Sequence, residues 1–143
     1  MQTNFTIEGN SAIQFQGRHI DLHNCFDFDE LVENYEKKEL IIKFKKAEGS
    51  WVKKDELDAV TFHLLDVFFL HKSTNATDLL LEDSRTLEFL SFFSSELREL
   101  NDCLVQQEKP KEGDDLLFHF FNGNVIRAAC DRVVVEVETT LQG

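Results

Sequence analysis

The run Val60-Thr61-Phe62-His63-Leu64-Leu65-Asp66-Val67-Phe68-Phe69-Leu70 constrains the fold more than any other stretch of this chain. It is apolar on both faces of an extended strand, so it belongs centrally in a sheet or spans two packed sheets. Before it, Phe5 and Ile7, Ile13 and Phe15, and Ile20 and Leu22 alternate with polar neighbours, and Gly9-Asn10-Ser11 and Gly17-Arg18 supply the turns. Leu40-Ile41-Ile42-Lys43-Phe44 reads as a further strand. After it, Leu116-Leu117-Phe118-His119-Phe120-Phe121 and Val125-Ile126-Arg127-Ala128 flank Asn122-Gly123, a dipeptide suited to a type I′ hairpin turn. Arg132-Val133-Val134-Val135-Glu136-Val137-Glu138 adds one more strand to that meander.

Helix signals are fewer. Asp27 as N-cap with Glu30 three residues on, followed by Phe28, Leu31, Val32 and Tyr35, predicts a helix over about 28–38. Leu97, Leu100 and Leu104 predict a second over about 95–106, while 86–93 fits neither period cleanly because Phe89, Phe92 and Phe93 interrupt the leucine stripe. Pro110 and Gly113 close that region. Residues 45–58 form a polar connection around Trp51, 73–77 read as a loop, and 79–81 as a brief strand. These readings predict an α+β fold, one domain over residues 1–143, with a predominantly antiparallel, sandwich- or half-barrel-like sheet and one or two short helices.

Charge bounds the partners. Asp and Glu number 27 against 15 Lys and Arg, a net charge of −12, which disfavours a nucleic-acid or phosphate ligand and favours a basic protein partner. The 14 phenylalanines lack a polar handle, so most belong in the core. The three cysteines, Cys25, Cys103 and Cys130, are irregularly spaced, which fits reduced thiols rather than a disulfide framework or zinc ribbon. With no signal-peptide pattern at the N-terminus and no bilayer-length apolar run, the expectation is a cytoplasmic protein without a membrane partner.

The one constellation with chemical potential is His19-Ile20-Asp21-Leu22-His23, because a strand puts His19, Asp21 and His23 on one side, with Cys25 next in the alternation. A fourth metal ligand would come from His63, His71 or His119. The same alternation makes these residues the wet face of a strand whose Ile20 and Leu22 face the core. Neither a nucleophile elbow around Ser91, Ser94 and Ser95 nor a phosphate-binding glycine loop is present, so the reading is non-enzymatic and without a cofactor. Carboxylates cluster at Asp27, Asp29, Glu30 and Glu33, and at Asp55, Glu56 and Asp58 close to Trp51. These eight residues are the predicted partner contacts, acids for steering and tryptophan as anchor.

The strands at 40–44 and 60–70 and the Phe118-His119-Phe120-Phe121-Asn122-Gly123 hairpin resemble small acidic bacterial immunity proteins of polymorphic-toxin and contact-dependent inhibition systems. That resemblance implies a compact cytosolic domain that binds and blocks a cognate toxin. The expected function is therefore occlusion of a basic partner, such as a toxin acting on nucleic acid. Two other readings stand beside it: a metal-dependent or small-molecule-binding enzyme using His19, Asp21 and His23, and a self-associating subunit built on the strand at 60–70.

Overall fold

The computed structural model describes residues 1–73 and 85–139; the loop expected at 73–77, apart from Ser73, and the strand expected at 79–81 lie outside them. Among the described residues, ten strands carry the fold. The first four are short: β1 (Gln2–Thr3), β2 (Thr6–Glu8), β3 (Ala12–Phe15) and β4 (Arg18–Asp21). A single-turn helix, α1 (Leu22–Cys25), leads into β5 (Phe26–Asn34) and β6 (Glu39–Lys46). Then come β7 (Ala59–Ser73), β8 (Leu87–Ser94), β9 (Asp114–Phe120) and β10 (Val125–Glu138). The large sheet has seven strands in the order β5-β6-β7-β10-β9-β8, with β1 parallel on β10, and β2-β3-β4 form a separate antiparallel meander.

The fold is mostly β, a curled antiparallel half-barrel, and the α+β expectation is corrected. Both predicted helices fail for identifiable reasons. Residues 28–38 lie largely in β5, where Asp27 faces Lys45, Glu30 faces Lys43 and Leu31 faces Ile42 across β6, so cross-strand pairing outweighs the capping signature. Residues 95–106 hold only a 3₁₀ turn at Ser95–Leu97, followed by irregular chain.

Beta-bulges explain why the first of these looked helical. In β5 the register skips Asp29, so Phe28 and Leu31 both face inward, opposite Phe44 and Ile42. In β8 it skips Glu88, and Leu87 and Leu90 both face inward, opposite Phe120 and Phe118. An extra residue converts the strand's two-residue period into an i, i+3 spacing that imitates a helix face.

The run at 60–70 lies centrally as its sequence requires, between β6 and β10. Val60, Phe62 and Leu64 are buried in a core shared with Phe44, Phe92 and Phe118 of the large sheet and Ile7, Ile13 and Ile20 of the meander. The β9–β10 hairpin forms where Asn122-Gly123 placed it, but with a different turn. Gly123 alone takes positive φ (89°), and the Phe120 N–H donates to Asn124 O (2.9 Å) around a three-residue loop. The sheet's edges approach each other at one end, where the Phe28 N–H donates to Arg85 O at 2.7 Å. No helix among the described residues is long and apolar enough to cross a membrane.

Candidate binding surface

Between β8 and β9 the chain crosses the outer face of the sheet as an irregular strap, residues 94–108, held down by a buried ion network. Arg127 of β10 and Asp115 of β9 are both fully buried, with Nε donating to Oδ2 at 2.8 Å. The remaining Arg127 donors reach the strap: Nη1 bonds Leu100 O (2.8 Å), Leu97 O (3.2 Å) and Asn101 Oδ1 (3.3 Å), and Nη2 bonds Ser94 O (2.8 Å). Arg98, from the strap itself, closes a bidentate pair on Asp115 at 2.9 and 2.8 Å, and its guanidinium carbon stacks 3.5 Å from the Phe69 ring centroid. That hydrogen bond to Asp115 raises the Arg98 pKa above its ordinary value.

The far end is fixed by neutral groups. Asn10 Nδ2 donates to Val105 O (2.9 Å), the Val105 N–H donates to Ser91 Oγ (3.1 Å), and the Ile7 N–H donates to Glu108 O (2.9 Å). A buried ion pair adds little net stability relative to apolar packing; what this one supplies is shape, the two Arg127 Nη groups fixing Ser94, Leu97, Leu100 and Asn101 of a segment that has no ladder of its own. The segment so fixed exposes Leu97 (41%), Leu100 (39%) and Leu104 (49%), interleaved with exposed Glu96, Glu99 and Asp102. Its one cation, Arg98, is consumed internally.

Neither Asp115 nor Arg127 was singled out from the sequence, and this network was missed. A usable signal existed: Arg127 faces Leu117 across the hairpin, so Asp115, two residues from Leu117, falls on the same face as a diagonal neighbour of opposite charge.

The eight predicted contacts are divided among separate places. Asp29 and Glu30 are exposed on edge strand β5, and Asp27 is half-buried opposite Lys45. Glu33, at the other end of β5, accepts from Lys72 Nζ (2.8 Å) and from the Tyr35 hydroxyl (3.0 Å), and the lysine bond holds its carboxyl below the usual range. Glu56 pairs with Arg18 at 3.0 Å and Asp58 with Lys46 at 3.5 Å, which leaves Asp55 exposed beside them. Trp51 is 65% exposed, with its indole N–H donating to Asn24 O (2.7 Å) at the end of α1.

The Trp51 ring lies directly on Gly49, where a Cβ would run into it. Gly49→Ala should therefore displace the only tryptophan, read as a red shift and intensity change in intrinsic fluorescence with the melting temperature nearly unchanged. An unaltered spectrum would mean that the ring does not rest there.

His19, Asp21 and His23 are not brought together. His19 pairs with Glu8 at 2.9 Å, Asp21 caps α1 by accepting from Asn24 N (3.0 Å), and His23 Nδ1 donates to Leu87 O (2.6 Å). Among the described residues no three His, Cys, Asp or Glu side chains are grouped to hold a metal. His63 lies 3.3 Å from Glu136, and His119, stacked on Phe89 with ring centroids 4.7 Å apart, lies 2.9 Å from Glu88.

Burial pushes the Cys130 thiol from 9.0 up to about 12. A group whose folded pKa is raised contributes stability that is complete below its unfolded value and is lost as pH rises toward the folded one. Urea midpoints should therefore fall between pH 9 and about 12, and fall less steeply in Cys130→Ala; parallel slopes would exclude this thiol as the source.

Comparisons with protein-family models, with curated proteins and with solved structures found no match for this chain.

Proposed function

We propose that this chain is a non-enzymatic binding protein that occludes a basic protein partner, with the strap at 94–108 as its principal docking face. The observation that carries the reading is the fixed display of Leu97, Leu100 and Leu104 among Glu96, Glu99 and Asp102. Exposed apolar groups that water disfavours supply desolvation on contact, and carboxylates around them steer a cationic surface and fix its register. Irregular segments positioned by a rigid sheet are where recognition commonly resides. The resemblance to immunity proteins makes a cognate toxin domain that grips nucleic acid through Lys and Arg the partner to seek first, in the cytoplasm. The eight carboxylate and tryptophan contacts expected from sequence become secondary to the strap, with exposed Asp29, Glu30 and Asp55 contributing long-range attraction.

The test is affinity capture from the native lysate at low and moderate salt, comparing the wild type with a Glu96→Lys, Glu99→Lys, Asp102→Lys variant. One basic protein retained by the wild type at both salts, with association slowed at least about tenfold in the variant, supports the reading. Equal retention by both proteins removes the strap from the interface, and absence of any basic partner removes the reading.

A further inference from the structure

A second surface lies where the β5–β6 turn meets the distal half of β7. Both elements are bent there by residues in the left-handed region, Lys38 at φ 56° and Asp66 at φ 57°, and the Val67 N–H donates to Lys38 O at 2.8 Å to join them. The β7–β10 register then passes over Phe68, pairing Val67 with Cys130 and Phe69 with Ala129, so Phe68 is the bulged residue and its ring is 71% exposed. Phe68 lines a cavity of about 400 Å³ together with Tyr35, 77% exposed, and with Leu40, Val67 and Leu70, which we take as its apolar floor.

The Tyr35 ring is preset rather than loose. Its hydroxyl donates to Glu33 Oε1 (3.0 Å), and Glu33 Oε2 is held by Lys72 (2.8 Å). The lining carboxylate left over is Glu39, which is half-buried and takes part in no ion pair among the described residues.

We infer that this groove receives an arginine side chain, its aliphatic stem on the apolar floor and its guanidinium against the Tyr35 and Phe68 rings and the Glu39 carboxylate. Arginine is the side chain whose parts match all three: a stem that buries well, a planar cation that stacks on aromatic faces, and a fork for a carboxylate. The fold already uses the same combination one residue away, where Arg98 stacks on Phe69 and forks onto Asp115. The Phe69 ring is thus occupied by the chain's own arginine, while the Phe68 ring is open. Lys38 also lines the groove and opposes a cation there, so its removal should tighten binding.

The inference rests on the basic-partner reading for the source of the arginine, but its test does not. A capped Gly-Arg-Gly peptide is titrated into the ¹⁵N-labelled protein at near-physiological salt, beside the same peptide with citrulline, which keeps the shape and lacks the charge. The expected result is saturable shifts at Tyr35, Leu40, Val67 and Phe68 with the arginine peptide. Affinity should fall about threefold or more in Phe68→Ala and in Glu39→Gln, rise in Lys38→Met, and stay unchanged in the strap triple variant. Both weakening substitutions are at the surface, and unchanged spectra elsewhere establish that the variants are folded. Equal binding of the citrulline peptide, or shifts scattered over the acidic surface without saturation, overturns the inference. Because the strap variant is carried through both experiments, loss of partner capture and loss of peptide binding are read separately.

Discussion

Replacing Asp115 by alanine should destabilise the fold by about 3–5 kcal/mol, because it leaves the fully buried Arg127 guanidinium without a counter-charge. Arg98, whose side chain is 34% exposed, can swing into water when its partner disappears; Arg127 cannot. Arg98→Ala should therefore cost less, about 1.5–3 kcal/mol for a charged hydrogen-bonded pair that still leaves Arg127 and Asp115 matched. Urea denaturation reads both, as a shift in midpoint at constant slope. A loss below about 1 kcal/mol for Asp115→Ala would mean that water reaches Arg127 and the network does not hold the strap.

A combined Asp115→Leu, Arg98→Met, Arg127→Met chain separates stability from shape. Apolar replacement of a whole buried network is often neutral or better, so much of the lost stability should return. The carbonyls of Ser94, Leu97 and Leu100 would still lack the donors that position them. Hydrogen exchange and proteolysis over 94–108 should then rise while the sheet stays protected, and partner binding should weaken without a charge change among Glu96, Glu99 and Asp102.

The sequence makes the strands legible because a half-buried sheet imposes a two-residue period, and β2, β3, β4 and β6 follow it closely enough to be read, whereas β10, expected as separate strands at 125–128 and 132–138, runs unbroken over Val125–Glu138 with its first six residues all buried. It hides β5 and β8 because their bulges reset that period at Asp29 and Glu88. Asp27 and Glu30 then completed a convincing capping box, yet a local capping gain of about 1 kcal/mol is small beside pairing eight residues with a neighbouring strand. The leucines at 97, 100 and 104 are spaced as a helix face, but they are exposed; the strap's shape comes from Arg127, distant in sequence, so no local propensity could announce it. The acid surplus was legible as a property of the whole chain. Which carboxylates are free was not, since Glu33, Glu56 and Asp58 find their cations through tertiary contacts with Lys72, Arg18 and Lys46.

Phe44→Ala should cost about 3–5 kcal/mol, the upper range for a buried aromatic truncation, and lower Tm by roughly 10–20 °C. Phe44 is fully buried on β6, with ring centroids of Phe28 (6.0 Å), Phe62 (6.0 Å), Phe118 (6.1 Å) and Phe120 (6.5 Å) around it. Those rings come from β5, β7 and β9, which are fixed by sheet hydrogen bonds on different sides of the curled sheet. Their backbones cannot all close on the space a phenyl leaves, so the cavity term should remain nearly whole. Phe44→Leu refills part of the volume and should recover more than half of the loss, whereas exposed Phe68→Ala should stay within about 0.5 kcal/mol of wild type. A small effect at Phe44 would show that the half-barrel collapses readily around it. The contrast between the two phenylalanines follows from register: one faces inward opposite Val60, and the other is turned out by a bulge into a groove.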